Sequence, residues 1–297
     1  MNGKQRFYCL NCERSFSRKN RAVKRNNEFI WFKKWLVDGY KFKQLVKASG
    51  KCISTLQRII NDCLAHVPKA KLIDLSDVKN IVVDGSYILK RKLAAFIVMN
   101  SQSGKLVYGG YDFRENDVNR SLRLFAQLRE QGLMPESATT DGNPAIIHSL
   151  IKTWPSIVIQ RCLVHIQRQG LMWCRTKPKT LLANKLRKLF VLITDIRTEK
   201  QRDDFLTTFK QWERKYGQTI QSKPERGRVF SDVKRARSVL LKALPNMFHF
   251  LQNDQIPWST NLAEGYFSNM KNRYREHRGL APKKRTSFFN WYFILKP

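Results

Sequence analysis

The segment Thr139–His165, TTDGNPAIIHSLIKTWPSIVIQRCLVH, contains the pattern that decides the fold. SATTD, which ends at Asp141, predicts a short strand. NPAIIHSLIKTW predicts a helix that tolerates Pro144 in its first turn, and SIVIQ predicts another strand. Asp141 is the only carboxylate in the segment, and nine Lys or Arg residues separate it from Asp195, the next one. A lone carboxylate at a strand end, in so basic a region, indicates that Asp141 has a functional role.

The residues before this segment extend the same pattern. NIVVDGSYIL, KLAAFIVMN and KLVYGGYDF predict three consecutive strands, and DVNRSLRLFAQLREQG predicts an amphipathic helix. Three strands in a meander followed by helix, strand, helix and strand predict an α/β fold with a mixed sheet. From about 162 to 250 the sequence is basic and predicts helices almost throughout.

The composition indicates a folded protein with a polyanionic partner. The 297 residues carry 56 basic and 23 acidic side chains, a net charge of +33, and 42% hydrophobic residues exclude a disordered polycation. Nucleic acid is the partner that such a charge favours, although a generically basic ribosome-associated protein has the same balance. The scattered cysteines favour a reducing compartment, and the absence of a long apolar run argues against a membrane partner. We therefore expect a cytoplasmic, nucleoid-associated protein.

Residues 1–26 centre on RFYCLNCERSF, in which Cys9 and Cys12 have the spacing of half a zinc site. A second pair at this spacing is absent from the sequence, so the segment looks like a zinc ribbon without its first half. A bound zinc ion completed through the fold and a vestigial knuckle without metal are the two interpretations.

Residues 27–66 predict three short helices, with a stop at Gly39 and an N-cap at Ser54. The order of a helix, a glycine-containing turn and a second helix, in so basic a chain, resembles a helix-turn-helix DNA-binding domain. Residues 67–78 then form a linker. The side chains expected to face DNA are Lys51, Ser54, Thr55, Gln57 and Arg58.

Three carboxylates form the candidate chemical site. Asp84 and Asp141 each precede a glycine near a strand end, and Glu264 lies on a late predicted helix that can pack beside them. Converging carboxylates suit Mg²⁺ or Mn²⁺, and two such ions about 3.5–4 Å apart can clamp a phosphodiester. Taken singly, each aspartate is also an ordinary turn residue beside a glycine.

The predicted helix of Glu264 is rich in basic residues. Ser268, Lys271 and Arg275 follow Glu264 at helical intervals and share its face. Arg273 and Arg278 widen this basic patch, which either holds a DNA backbone or is a solvated surface.

Four motifs together resemble the DDE transposases of bacterial insertion sequences, especially the Mutator-like group. They are VVDGSYI at Asp84, TTDGNPAI at Asp141, QRCLVH at Cys162 and His165, and STNLAEGYFSNMKNRYREHRG at Glu264. The resemblance implies a ribonuclease H-like catalytic domain over 79–280, with a helical insertion at about 170–255. Residues 281–297 remain as a basic and aromatic C-terminal tail.

The resemblance also implies a mechanism and its residues. Asp84, Asp141 and Glu264 would be the catalytic ligands of two Mg²⁺ or Mn²⁺ ions, and His165 would help position the scissile phosphate. Cys162 would pack as a small buried residue. Phosphodiester hydrolysis at the transposon ends would be followed by strand transfer into target DNA. The implied partners are the double-stranded terminal inverted repeats, target DNA and a second copy of the chain.

Two other functions remain open at this point. One is a non-catalytic or domesticated DNA-binding protein derived from a transposase, which the incomplete zinc ribbon favours. The other is a ribonuclease H-like nuclease that does not transpose, since a fold does not fix its substrate.

Overall fold

The structure, a computed structural model, divides into two compact units. Unit 1 contains Met1–Ala70 and Met270–Lys296, and unit 2 contains Lys71–Asn269 and Pro297. The structure describes residues 6–17, 21–66, 74–89, 93–113, 116–222, 228–277 and 279–297.

The elements follow one another along the chain as short strands and mostly longer helices. The strands are β1 (Arg6–Tyr8), β2 (Ser15–Ser17), β3 (Asn80–Leu89), β4 (Leu93–Asn100), β5 (Leu106–Phe113), β6 (Ser137–Thr140) and β7 (Val158–Arg161). The helices are α1 (Arg21–Leu36), α2 (Phe42–Ser49), α3 (Ile53–Ala65), α4 (Val118–Glu130), α5 (Pro144–Thr153), α6 (Leu163–Cys174), α7 (Leu181–Leu192), α8 (Glu199–Ser222), α9 (Arg228–Ala243), α10 (Asn261–Glu276) and α11 (Pro282–Leu295).

A five-stranded mixed sheet in the order β5-β4-β3-β6-β7 is the centre of unit 2. β3, β4 and β5 form an antiparallel meander, and β6 and β7 run parallel to β3. Ile81, Val82 and Val83 of β3 are fully buried, because a central strand covered on both faces needs apolar residues at successive positions. The predicted α/β class and the mixed sheet are thus confirmed.

Helices α4 and α5 cover one face of this sheet. Phe125 of α4 and Leu150 of α5 pack with Val83 and Phe96 from the strands in one apolar cluster. The same cluster includes Leu75, so the predicted linker at 67–78 ends inside the core of unit 2, while residues 67–73 lie outside the described part of the chain.

Helices α6 to α9 build a second apolar core in unit 2. Ion pairs tie these helices together: Arg175 after α6 pairs with Asp232 of α9, and Arg237 of α9 pairs with Glu213 of α8. The helical part begins at Leu163, directly after β7, as the sequence predicted for the region from about 162.

Unit 1 contains α1, α2 and α3, whose apolar faces meet around Phe32, Leu36, Leu45 and Leu56. Helix α1 begins at Arg21, inside the segment 1–26 that was predicted to be ribbon-like. Helix α3 begins after Cys52, so Cys52 is the N-cap and the prediction of Ser54 was wrong. The extended backbone of Cys52 places the Ser54 and Thr55 hydroxyl groups against its own Sγ, at 3.2 and 3.1 Å.

Residues 281–297, which the sequence suggested as a tail, contain α11, and the aromatic side chains of this helix are buried in unit 1. The Trp291 indole donates a hydrogen bond to the Cys63 carbonyl at 2.8 Å. Phe288 is fully buried and contacts Trp35 and His277 edge-on. The aromatic residues that gave the segment its tail-like composition are therefore core residues.

No helix in the described part of the chain has the length and apolar character needed to cross a membrane.

Candidate active site

Asp84 and Asp141 occupy matching positions on neighbouring parallel strands. Val83 of β3 pairs with Thr140 of β6, so the two aspartates come next in the same register, on strands spaced about 4.8 Å apart. Asp141 follows the end of β6 as predicted. Asp84 lies within β3 instead of at its end, because β3 continues to Leu89 in its pairing with β4.

Backbone donors orient both aspartates. The Gly85 N–H donates to Asp84 Oδ1 at 2.9 Å, and the Asn143 N–H donates to Asp141 Oδ1, also at 2.9 Å. Asp84 is 6% exposed, and its carboxylate is thus held in a largely buried setting. These bonds fix each carboxylate before any ligand arrives.

The turn after Asp141 depends on Gly142 and Arg161. Gly142 has a φ of +95°, and a Cβ there would lie 1.8 Å from the Arg161 guanidinium carbon. Arg161, at the end of β7, donates from Nη2 to the Asp141 carbonyl oxygen at 3.1 Å. Burial lowers the pKa of Arg161, although the nearby Asp141 charge partly opposes that shift. Glycine and a buried arginine therefore define the shape of this turn.

His165 lies in the first turn of α6, among the acidic residues. Its Nδ1 is 3.3 Å from Cys162 Sγ and 3.3 Å from Thr260 Oγ1, and its Nε2 is 3.8 Å from Glu264 Oε1. The hydrogen bond to Cys162 raises the pKa of His165 to about 9. Burial opposes this shift, and the charges of Cys162, Asp84 and Asp141 add to it. The imidazole is consequently protonated at neutral pH.

Cys162 connects the starts of α6 and α10. It is fully buried and is the N-cap of α6, and the Thr260 N–H donates to its Sγ at 3.3 Å. Burial acts to raise the pKa of the Cys162 thiol, but hydrogen bonds from His165 and Thr260 outweigh burial and lower it. The thiol is buried, as predicted for a lone cysteine, and it also accepts hydrogen bonds that the sequence did not reveal.

Glu264 lies in the first turn of α10 and is bound by an arginine that the sequence analysis missed. Arg168 of α6 donates from Nη1 to Glu264 Oε1 at 2.7 Å and from Nη2 to Oε2 at 3.2 Å. The available signal was its position three residues after His165, which places both side chains on one helix face.

Hydrogen bonds between residues far apart in sequence fix the position of the segment that leads into α10. Thr139 Oγ1 donates to the Pro257 carbonyl at 2.7 Å, and the Leu163 N–H donates to the Trp258 carbonyl at 3.0 Å. The Arg197 guanidinium lies over the Trp258 ring at 4.2 Å from its centroid, so this ring stacks on an arginine. These contacts hold the segment before α10 against β6 and the start of α6.

The donor set suits a divalent ion at two of its three carboxylates. Asp84 and Asp141 offer hard oxygen atoms side by side, as Mg²⁺ or Mn²⁺ requires, whereas Glu264 is engaged by Arg168. Across the described residues, no three His, Cys, Asp or Glu side chains converge closely enough to hold an ion, around Cys9 and Cys12 or elsewhere. In this structure Glu264 pairs with Arg168 and does not form such a group with Asp84 and Asp141.

The described residues among those predicted to bind DNA lie in unit 1, just before or on α3 and on the second half of α10. Ser54 and Gln57 are exposed, and Thr55 is half-buried. Arg58 pairs with Glu28 at 2.9 Å and Asp62 at 3.0 Å. Of the other predicted residues, Lys51 and Lys271 are half-buried, Arg273 pairs with Glu276, and Arg275 is exposed. Arg278 lies outside the described residues.

A comparison with protein families identifies one family whose model matches this chain. The model of the transposases of the Mutator family matches residues 110–288, more than half of the chain. The chain belongs to this family. No curated protein matches it. In this Mutator family transposase, the match includes Asp141, His165 and Glu264 and begins after Asp84.

Proposed function

We propose that this Mutator family transposase is a DDE-type enzyme that uses Mg²⁺ or Mn²⁺ to cut DNA at transposon ends and join it to target DNA. The observation that carries the proposal is the parallel register of Asp84 and Asp141. Glu264 and His165 lie 3.8 Å apart, and the charges of both aspartates act on His165. This arrangement supports the assignment of the four side chains to one site in unit 2.

In this proposal the residues of the site have separate roles. Asp84, Asp141 and, after exchange, Glu264 would hold the ions, which supply electrostatic stabilisation of the phosphodiester transition state when bound. The protonated His165 imidazole offers a positive charge and a hydrogen-bond donor to a phosphate oxygen. The bonds from Gly85 and Asn143 orient the carboxylates in advance, which avoids reorganisation during the reaction.

The order of the strands favours a ribonuclease H-like core. An antiparallel meander followed by two parallel strands, with aspartates on the first and fourth strands, is the arrangement that the resemblance implied. The helices α6 to α9 would then be the insertion that precedes the helix of Glu264.

Binding to DNA is attributed to charge and to the helices α1 to α3. A net charge of +33 supplies affinity for the phosphate backbone. The short turn with Gly50 in the left-handed conformation joins α2 to α3, as expected for a helix-turn-helix, and the exposed Ser54 and Gln57 open α3. We attribute recognition of the terminal inverted repeats to this helix.

Divalent-metal-dependent cleavage of a labelled duplex tests the proposal, with the duplex taken from the sequences that flank the coding region. Asp84→Asn and Asp141→Asn keep the side-chain shape, remove the charge and should each lower cleavage by more than about 100-fold. Asp204→Asn, at an exposed position on α8, is the matched control and should cleave like the wild type.

Duplex binding measured with the same proteins separates the two leading functions. Cleavage that survives Asp141→Asn would contradict the proposed site. Tight binding by all variants, with cleavage by none, would identify a DNA-binding protein on an inherited fold.

A further inference from the structure

Arg168 and Glu264 form a two-point ion pair at the centre of the proposed site. Arg168 Nη1 donates to Glu264 Oε1 at 2.7 Å, and Arg168 Nη2 donates to Glu264 Oε2 at 3.2 Å. The residues are 96 positions apart and come from α6 and α10. The positive guanidinium, bonded to both carboxylate oxygens, opposes the approach of a second cation to Glu264, so this pair and a bound ion compete for Glu264.

The ion pair is placed where it can be exchanged. The Arg168 side chain is 59% exposed and the Glu264 side chain 32% exposed. Water can solvate both charges when such an exposed pair separates, which favours exchange of the partner. A guanidinium also binds phosphate with the same two-donor geometry that it uses for carboxylate. A DNA phosphate is therefore a suitable replacement for Glu264 as the partner of Arg168.

We propose that Arg168 occupies Glu264 in the DNA-free protein and moves to a DNA phosphate when DNA binds, which frees Glu264 for the divalent ion. The inference rests on the proposed function, because it requires Glu264 to be a metal ligand there. Binding of DNA and binding of the ion then strengthen each other by the same factor. The protein would assemble its complete metal site only on DNA.

A purely stabilising surface ion pair makes a different prediction. If Arg168 only fixed α6 to α10, its loss would lower stability and leave metal affinity unchanged or weaker, since Glu264 would lose its orientation. If Arg168 competes with the ion, its loss strengthens metal binding in the absence of DNA.

The deciding experiment is a calorimetric titration of the full-length chain with Mn²⁺, without DNA. Arg168→Gln should bind Mn²⁺ about fivefold or more tightly than the wild type. Arg123→Gln removes the same charge from an exposed position on α4 of the same unit and should bind like the wild type. Equal affinities for the wild type and Arg168→Gln, or an equal gain in both variants, would overturn the inference.

Two further measurements complete the test. With the end duplex bound, Mn²⁺ affinity should rise more for the wild type than for Arg168→Gln, and an equal rise would contradict the exchange. Asp141→Asn should weaken Mn²⁺ binding in every background. If it does not, the proposed function fails together with the inference. If Asp141→Asn weakens binding but Arg168→Gln does not strengthen it, only the inference fails.

Discussion

The backbone N–H of Thr260 donates a hydrogen bond to the Sγ of Cys162, which lies 98 residues earlier in the chain. Both atoms are buried, and the bond joins the residue before α10 to the N-cap of α6. The position of Glu264 relative to His165 consequently depends on a thiol that takes no part in the proposed chemistry.

Cys162→Ala should lower the free energy of unfolding by about 1–3 kcal/mol, because it leaves the buried Thr260 N–H without this acceptor. Urea denaturation of the full-length chain measures the loss. Cys174→Ala is the matched control, since Cys174 is buried on the same helix within the apolar cluster of α6 to α9. Equal losses for the two variants would show that the hydrogen bond contributes nothing beyond packing.

The pKa of His165 should lie above that of an ordinary histidine, and the pKa of His277 should lie below it. The hydrogen bond to Cys162 raises the pKa of His165 to about 9, whereas burial lowers the pKa of His277. At pH 7 the first imidazole should carry a proton and the second should be neutral, with Nε2–H donating to the Trp35 carbonyl at 3.0 Å. NMR titration of the histidine ring signals in metal-free protein measures both values.

The same titration on Cys162→Ala isolates the cause of the His165 shift. Because the Cys162 bond is the largest contribution, the pKa of His165 should fall in this variant and that of His277 should stay unchanged. An unaltered His165 would point to the aspartates as the main cause.

Gly170→Ala should destabilise the protein by about 1–3 kcal/mol through overpacking. A Cβ at Gly170 on α6 would lie 2.1 Å from the Phe190 ring on α7, and this buried ring has little room to move. Thermal denaturation compares the variant with Gly265→Ala on α10, where a Cβ would meet nothing within 4 Å. Gly265→Ala should gain about 0.5–1 kcal/mol from helix propensity. Equal effects of the two changes would refute the close packing of α6 against α7.

Cys52 should react with iodoacetamide much faster than Cys63 on the same helix. Hydrogen bonds from Ser54 and Thr55 lower the pKa of Cys52 to about 7, and burial raises that of Cys63 to about 11. Since the thiolate is the nucleophile, the rate at Cys52 should rise with pH and reach half its maximum near pH 7. Peptide mass spectrometry after timed alkylation reports each site. Ser54→Ala should move the midpoint upward, and an unchanged midpoint would contradict the assigned cause.

The order of the strands could be predicted from the sequence because each element of unit 2 has a local signal. The apolar runs at β3 and β4 and the proline at the start of α5 are examples, and they placed Asp84 and Asp141 near strand ends. The exact position of Asp84 within β3 was not predictable, since it depends on how far β4 extends beside it.

Contacts between distant residues account for what the sequence left undetermined. Arg168 looked like one more cation in a basic helix until α10 brought Glu264 to it. Residue preference assigned the N-cap of α3 to Ser54, but the helix begins at Ile53 and its N-cap is Cys52. The aromatic residues of α11 had no apolar periodicity that distinguished a packed helix from a tail, because they are buried on several sides.

The placement of Asp84 inside β3 has a consequence for motion at the site. β3 lies between β4 and β6, so its backbone cannot shift without breaking the sheet, and amides near Asp84 should exchange with deuterium only in large opening events. Asp141 lies in the turn after β6 and Glu264 is half-buried in the first turn of α10, so both can be displaced locally without opening the sheet. Adjustment of the site to different DNA geometries should therefore come from these two residues, while Asp84 remains the stationary reference.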